Sequence, residues 1–202
     1  MAASAAWPRE GKSDVHRDIR GQTTHGSPQG RSGKVTETLS GRAVDGERFR
    51  RALAAHAAGV VVITAQDDET PIGLTATSFS SVSLEPPLVS FYVNQSSSTW
   101  PRLRSAGHFA VNMLTSDQDE LAVRFARKGI DRFAEPTRWH RGPFGAPLLS
   151  DASVHLVCLP HTTGEVGDHV LVVGLVCEAT VHGTSRPLLY HQGRFGRFIP
   201  HP

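Results

Sequence analysis

Gly73-Leu-Thr-Ala-Thr-Ser-Phe-Ser-Ser-Val-Ser-Leu-Glu-Pro-Pro-Leu-Val-Ser-Phe91 carries the plainest β signal in the chain. Its Thr, Ser, Val and Phe residues favour extended backbone. Glu85-Pro86-Pro87 then forces a corner, because each proline fixes its own φ and disfavours helix at the residue before it. The segment Ile72 to Ser83 therefore reads as a long strand, and Leu88 to Val93 as the next one.

Working outward, the β-branched run Val60 to Thr64 and a polar turn at Gln66 to Pro71 make an antiparallel pair with that long strand. Upstream, Asp45 to Gly59 carries Phe49, Leu53 and His56 or Ala57 at helical spacing, with Gly59 as a stop. Downstream, Ser96 to Ala106 reads as a short helix with serine caps and Gly107 beyond it. His108 to Leu114 returns as a strand, and Asp117 to Lys128 places Leu121, Ala122 and Phe125 on one helical face. Residues 129 to 152 are loop-rich. Val154 to Leu159 and Val170 to Val181 read as the last long strands, with a turn at His161 to Asp168 between them. Strands joined by turns, with a few inserted helices and no βαβ alternation, predict a mainly β chain closing as an antiparallel barrel.

The chain has 202 residues, enough for one sizeable domain and a tail. Residues 1–44 are rich in Gly, Ser, Thr, Arg and Gln without a helical or strand period, which predicts a disordered or extended tail before a domain at 45–202. Net charge is +2, from 21 Lys+Arg against 19 Asp+Glu, so no long-range field selects nucleic acid or an anionic membrane as partner. The N-terminus has no basic segment leading into an apolar stretch, and no apolar run reaches roughly 18 residues, so neither secretion nor membrane insertion is expected. A cytoplasmic protein is the reading. Cys158 and Cys177 sit alone in apolar runs and are expected to be buried, reduced thiols.

Several chemistries lack their motifs. No Gly-x-Gly-x-x-Gly follows a strand, and there is no P-loop, Gly-x-Ser-x-Gly elbow or His-x-x-x-His pair. A metal centre is not expected. What remains is five clusters. Leu74, Thr75, Ala76, Thr77 and Ser78 are small or hydroxyl-bearing, suited to letting a strand's backbone approach a planar ring; the same residues also suit an edge strand facing solvent. Asn94, Gln95, Ser97, Ser98 and Thr99 lie between a strand and a helix, where hydroxyls and free N–H groups favour a phosphate, although an ordinary N-cap has the same composition. Arg124, Phe125 and Ala126 bring a cation from the next helix; the alternative is a solvated helix arginine. Gly167-Asp168-His169 presents a histidine at a strand's start. Tyr190, Gly193, Arg194 and Phe195 combine aromatic rings and a cation around a glycine, suited to a planar ring and a phosphate, or to a terminal strand packing its aromatics.

Taken in order, Ala58-Gly-Val-Val-Val-Ile-Thr64, Gly73-Leu-Thr-Ala-Thr-Ser-Phe79, Ser81-Val-Ser-Leu-Glu-Pro-Pro-Leu-Val89, Phe109-Ala-Val-Asn-Met-Leu114, Leu121-Ala-Val-Arg-Phe-Ala126, Gly167-Asp-His169 and Leu189-Tyr-His-Gln-Gly-Arg-Phe195 resemble the landmarks of the small NAD(P)H:flavin oxidoreductases, over nearly all of residues 47 to 198. The resemblance implies an antiparallel six-stranded Greek-key split β-barrel, a homodimer, and FMN or FAD in a groove near the subunit interface. It implies that Leu74 to Ser78 line the flavin ring, that Asn94 to Thr99 hold the ribityl chain and phosphate, and that Arg124 to Ala126 close that end. His169, as the catalytic-site histidine, with Tyr190, Gly193, Arg194 and Phe195, matches positions that contact NADH or NADPH. Two positions depart from the pattern. Thr77 stands where many relatives carry Asn or Ser, and Phe195 where Tyr is common, which puts in question the hydrogen bonds relatives make there.

The activity so implied is hydride transfer from NAD(P)H to a flavin that then serves a separate flavin-dependent monooxygenase. Such a step needs positioning more than a strong acid or base, in keeping with the missing dyad. Two alternatives stay open: a flavin-bound oxidoreductase acting on another small acceptor, and a flavin carrier without turnover.

Overall fold

The computed structural model describes residues 43–183 and 185–201. The expected N-terminal tail lies almost wholly outside the described residues. The chain falls into two compact units, one ending at His56 and the other comprising Ala57 onward. In the first, helix α1 spans Gly46–Ala54, and the Asp45 carboxylate caps it by accepting from the Arg48 N–H at 2.8 Å. The helix stops short of Gly59, which instead belongs to a strand.

Among the described residues the second unit is built on twelve strands: β1 Ala58–Gly59, β2 Val61–Asp67, β3 Thr70–Ala76, β4 Ser80–Leu84, β5 Pro87–Asn94, β6 Phe109–Met113, β7 Trp139–Arg141, β8 Pro147–Leu149, β9 Val154–Val166, β10 His169–Val181, β11 Leu188–His191 and β12 Arg194–Arg197. Helix α2, Trp100–Ser105, follows β5, and helix α3, Asp119–Ala126, follows β6. Seven strands form one antiparallel sheet in the order β3-β2-β6-β9-β10-β5-β4, one strand more than the six the resemblance implies. β1, β11 and β12 make a small separate sheet, and β7 pairs with β8.

This order explains why the sheet is a barrel. Its two edges, β3 and β4, are separated in sequence by only Thr77, Ser78 and Phe79. A flat seven-stranded sheet would hold its edges about 29 Å apart, whereas the four-residue step from Ala76 to Ser80 spans at most roughly 14 Å. The sheet has to curl. Ser78 stitches the seam: its Oγ accepts the Tyr92 N–H at 2.9 Å and reaches the Tyr92 carbonyl at 3.4 Å. The long strand expected over Ile72 to Ser83 is therefore two strands broken at this seam.

β2 is buried on both faces, which accounts for its unbroken apolar run. Val61, Ile63 and Ala65 join Phe91, Phe109 and Leu103 in the main core, while Val60 and Val62 join Phe125, Leu149 and Leu188 in a second cluster that includes Ala122 of α3. The Phe91 and Phe109 rings meet edge to face at 5.5 Å. Gly174 is needed beneath them, since a Cβ there would lie 2.3 Å from Phe109 Cζ.

β10 matches its apolar pattern, but β9 runs on past Leu159 to Val166, and the turn between them is only Gly167-Asp168. Positive φ at Gly167 alone suits a two-residue hairpin with glycine first. Pro160 is tolerated inside β9 because it sits at a register shift, where a missing N–H is harmless. A second shift places Cys177 as the extra residue of β10, and this overturns one expectation: Cys158 is buried, but Cys177 is exposed.

Candidate functional site

At the seam of the barrel a groove of about 530 Å³ is lined on one side by Leu74, Thr75, Ala76, Thr77 and Ser78. Opposite lie Asn94, Ser97, Ser98, Thr99 and His169, with Phe125 and Ala126 of α3 at one end. Three of the sequence clusters thus converge, together with part of the one on α3. Gln95 is not among the lining residues, Ser96 of the expected Asn94–Thr99 segment is, and Tyr92, Val93, Lys128 and Arg132 are additions that sequence reasoning missed.

The ring-sized side is shaped by packing against α3. Gly73 sits so close that a Cβ would meet the Ile63 carbonyl and Phe125 Cε1, each at 2.8 Å. Thr75 Oγ1 donates to the Ala122 carbonyl at 2.7 Å, tying β3 to the helix. The hydroxyls of Thr75 and Ser78 are therefore engaged in holding the wall. Thr77 is exposed, and among the described residues its hydroxyl makes no hydrogen bond, which leaves it for a ligand.

The opposite wall differs from its expectation in one respect. Helix α2 begins only at Trp100, with Pro101 in its first turn, and Thr99 makes no side-chain cap. Most N–H groups of the preceding segment are already used: Gln95 N–H donates to the Asp168 carbonyl, Ser96 N–H to Asn94 Oδ1, Ser97 N–H to the Asn94 carbonyl and Thr99 N–H to Ser97 Oγ. What this wall presents to the groove is hydroxyls and cations, in place of a row of free helix N–H groups.

Those cations are Lys128 and Arg132. Arg132 Nη1 donates to the Gly73 carbonyl at 2.9 Å and to Thr99 Oγ1 at 3.0 Å, while its Nε holds the Arg127 carbonyl at 2.9 Å. One guanidinium thus links both walls of the groove to the loop after α3. Arg124, expected to face a phosphate, does not line the groove. Its Nη2 donates to the carbonyls of Asp131 and Ala134, each at 2.9 Å, and its Nε to that of Arg132 at 3.1 Å. Arg124 shapes the loop that carries Arg132.

His169 is paired across the sheet with Asn94, so the Asn94–Thr99 wall and the Gly167-Asp168-His169 turn are neighbours. Its Nδ1 lies 2.7 Å from Asp168 Oδ1, which commits that nitrogen and leaves Nε2 for a ligand. The His169 ring, by hydrogen bond and charge, holds the Asp168 carboxyl below the usual carboxylate range. Tyr190 and Phe195 pack edge to face at 5.3 Å on the β11–β12 hairpin. Neither they nor Gly193 and Arg194 line the groove of this chain; Arg194 and Phe195 border a separate depression with His191.

The groove fits a flavin: one long wall of small residues and backbone for a flat ring, a hydroxyl and cation end for a phosphate, and a volume within the range of about 300–1,000 Å³ usual for such ligands. No cluster of His, Cys, Asp or Glu that could hold a metal occurs among the described residues.

A split antiparallel barrel bearing such a groove defines the class as a flavin oxidoreductase. The chain belongs to the flavin reductase like domain family, whose model matches residues 53–198. It is 39% identical over 182 residues to an NADH:FMN oxidoreductase of Rhodococcus qingshengii, covering 88% of this chain and 94% of that one. It is 34% identical over 162 residues to the reductase subunit HsaB of a flavin-dependent monooxygenase from Rhodococcus jostii, covering 80% and 83%. Among solved structures, the NADH:FAD oxidoreductase SgcE6 of Streptomyces globisporus, in complex with NAD and FAD fragments, superposes with a TM-score of 0.73 at 38% identity, covering 78% of this chain and 97% of that one.

Proposed function

We propose that this protein is an NAD(P)H:flavin reductase that takes hydride from a nicotinamide nucleotide, passes it to FMN or FAD, and releases the reduced flavin to a separate flavin-dependent monooxygenase. The observation that carries this reading is the convergence of Leu74–Ser78, Asn94, Ser97–Thr99 and His169 on one groove. Flavin, when bound, supplies the hydride-accepting chemistry. The chain's own contribution is positioning. The seam residues present backbone and small side chains to the ring; Ser97, Ser98, Thr99, Lys128 and Arg132 hold the phosphate end; and His169, its Nδ1 fixed by Asp168, offers Nε2 to orient the nicotinamide nucleotide.

Tyr190, Gly193, Arg194 and Phe195 serve the nicotinamide nucleotide in this reading where a second copy presents its hairpin to the groove, so a homodimer is part of the proposal. β4, a sheet edge with Val82 and Leu84 exposed, supports association. No helix of the described residues is long and apolar enough to cross a membrane. A cytoplasmic setting, where NAD(P)H is available, belongs to the same reading.

Steady-state oxidation of NADH and NADPH at increasing concentrations of free FMN or FAD tests it. Saturable dependence of turnover on added flavin is expected. Flavin binding without NAD(P)H oxidation would favour a carrier and contradict the proposal.

A further inference from the structure

Away from the groove, three histidines meet where β7, β9 and the end of β10 come together, and the proposed reaction uses none of them. His155 on β9 is only 4% exposed. Its ring lies edge to face with that of His182, just past β10, at 4.8 Å, and with that of His140 on β7 at 6.4 Å. We propose that the His155–His182 pair is an acid-sensitive latch, which fastens the chain between β10 and the β11–β12 hairpin at neutral pH and releases it when both rings are protonated. The latch stands on its own contacts; its consequence for the nicotinamide nucleotide rests on the flavin reading.

The hydrogen bonds fix the proton count. A carbonyl can only accept, so His155 Nε2, 2.9 Å from the Leu149 oxygen, carries a proton. In the neutral ring Nδ1 is then bare and accepts from His182 Nε2, also at 2.9 Å. Leu149 is clamped from its other side, its N–H donating to Asn112 Oδ1 at 2.8 Å. The His155 ring cannot turn to offer a different nitrogen without leaving a buried carbonyl unpaired. A first proton is tolerated: on His182, which is exposed, it leaves Nε2–H still donating. A second proton, on His155 Nδ1, sets two N–H groups against each other between two positive rings, and the bond is lost.

Among the described residues around the pair, β6 and β8 bring no titratable side chain. β7 brings His140 and Arg141, the latter paired with Glu69, and the turn after β8 brings Asp151, paired with Arg138. β10 brings Cys177 and Glu178, both exposed. Burial holds the His155 pKa down, and the charges of His182 and His140 add to this against the Leu149 bond. Opening the latch therefore takes up protons, and becomes easier as pH falls below the ordinary histidine value of about 6.5.

The fastened chain leads to the hairpin. His182 N–H donates to the Ser153 carbonyl at 2.9 Å, and further along Arg186 accepts the Ser116 N–H at 2.9 Å and Pro187 bridges to Thr115. β11 follows, carrying Tyr190, with Phe195 beyond it on β12. Leu188 is buried and its N–H holds the Leu114 carbonyl at 3.0 Å, so the base of the hairpin stays anchored when the chain before it is released.

Amide hydrogen exchange on the full chain tests the latch, read as protection factors so that the intrinsic pH dependence of exchange cancels. From about pH 7.5 to about pH 5, protection of the residue 182 and Ser116 amides is expected to fall roughly tenfold, while that of Val172 in the core stays within about twofold. His182→Gln, at an exposed position, keeps a side-chain N–H donor without a titrating ring and should abolish the fall. Protection that stays level in wild type, or falls equally in His182→Gln, would overturn the proposal. Over the same range KM for NADH should rise about threefold more in wild type than in His182→Gln, a comparison in which both proteins keep His169. Equal rises would overturn the coupling to the hairpin. Absence of any NADH oxidation would overturn the flavin reading and leave the exchange result to decide the latch.

Discussion

Gly73 lies directly against the ring of Phe125, with a virtual Cβ only 2.8 Å from Cε1 and equally close to the Ile63 carbonyl. The contact lets α3 sit on β3 and sets the ring wall of the groove. The backbone oxygen cannot yield easily, so Gly73→Ala is expected to destabilise the fold by about 1–3 kcal/mol, the usual cost of overpacking. A lowered urea midpoint checks this. An unchanged midpoint would mean that the helix shifts freely and does not define the wall.

His169→Ala should raise KM for NAD(P)H more than it weakens flavin binding, because the groove's ring and phosphate contacts lie on other residues. An unaltered kinetic profile would remove His169 from the site. The same substitution should move the Asp168 carboxyl upward, since His169 is what depresses it. The pair's stabilisation is present above the unfolded carboxylate value of about 3.9 and is lost as pH falls through the lower folded value. An NMR titration of the Asp168 carboxyl in wild type and variant reads this directly.

A buried histidine predicts a second acid response. His155 Nε2 donates to the Leu149 carbonyl at 2.9 Å, so its Nδ1 is the acceptor for His182 Nε2, also at 2.9 Å. Burial lowers the His155 pKa, and His182 and His140 add to the effect against the Leu149 bond. Its folded pKa lies below the unfolded value of about 6.5, so this stabilisation is full above that pH and is lost as pH falls toward the folded value. Tm should decline as pH falls below about 6.5, and His155→Gln should flatten the decline. Identical profiles for both proteins would contradict this.

The two thiols should differ sharply. Cys158 is buried, and desolvation, with Cys177 nearby, pushes it up to about 12, whereas Cys177 is exposed at the strand's bulge. Titration with a thiol reagent at neutral pH should modify Cys177 quickly and Cys158 only on unfolding. Equal rates would mean that the bulge is not where the register places it.

Much of this architecture was legible in the residues. Glu85-Pro86-Pro87 marked a corner, the Val60–Thr64 run a central strand, and the segments 74–78 and 94–99 with His169 come together at one groove. What escaped depends on registers that local patterns do not carry. Pro160 looked like a strand end, yet a bulge absorbs it; Cys177 looked like core, yet a bulge turns it outward. Arg124 and Arg132 are both cations near α3, and only the fold of the 129–135 loop decides that the first shapes the loop and the second reaches the groove. The segment Asn94–Thr99 showed its hydroxyls but not that its N–H groups would be used internally.

The central claim is tested most directly by anaerobic absorbance at about 450 nm, where oxidised flavin absorbs, with FMN or FAD in excess over the protein and NADH or NADPH added last. The account predicts rapid bleaching of many flavin equivalents per protein, since reduced flavin leaves and fresh flavin enters. Bleaching of a single equivalent, or none, would contradict it.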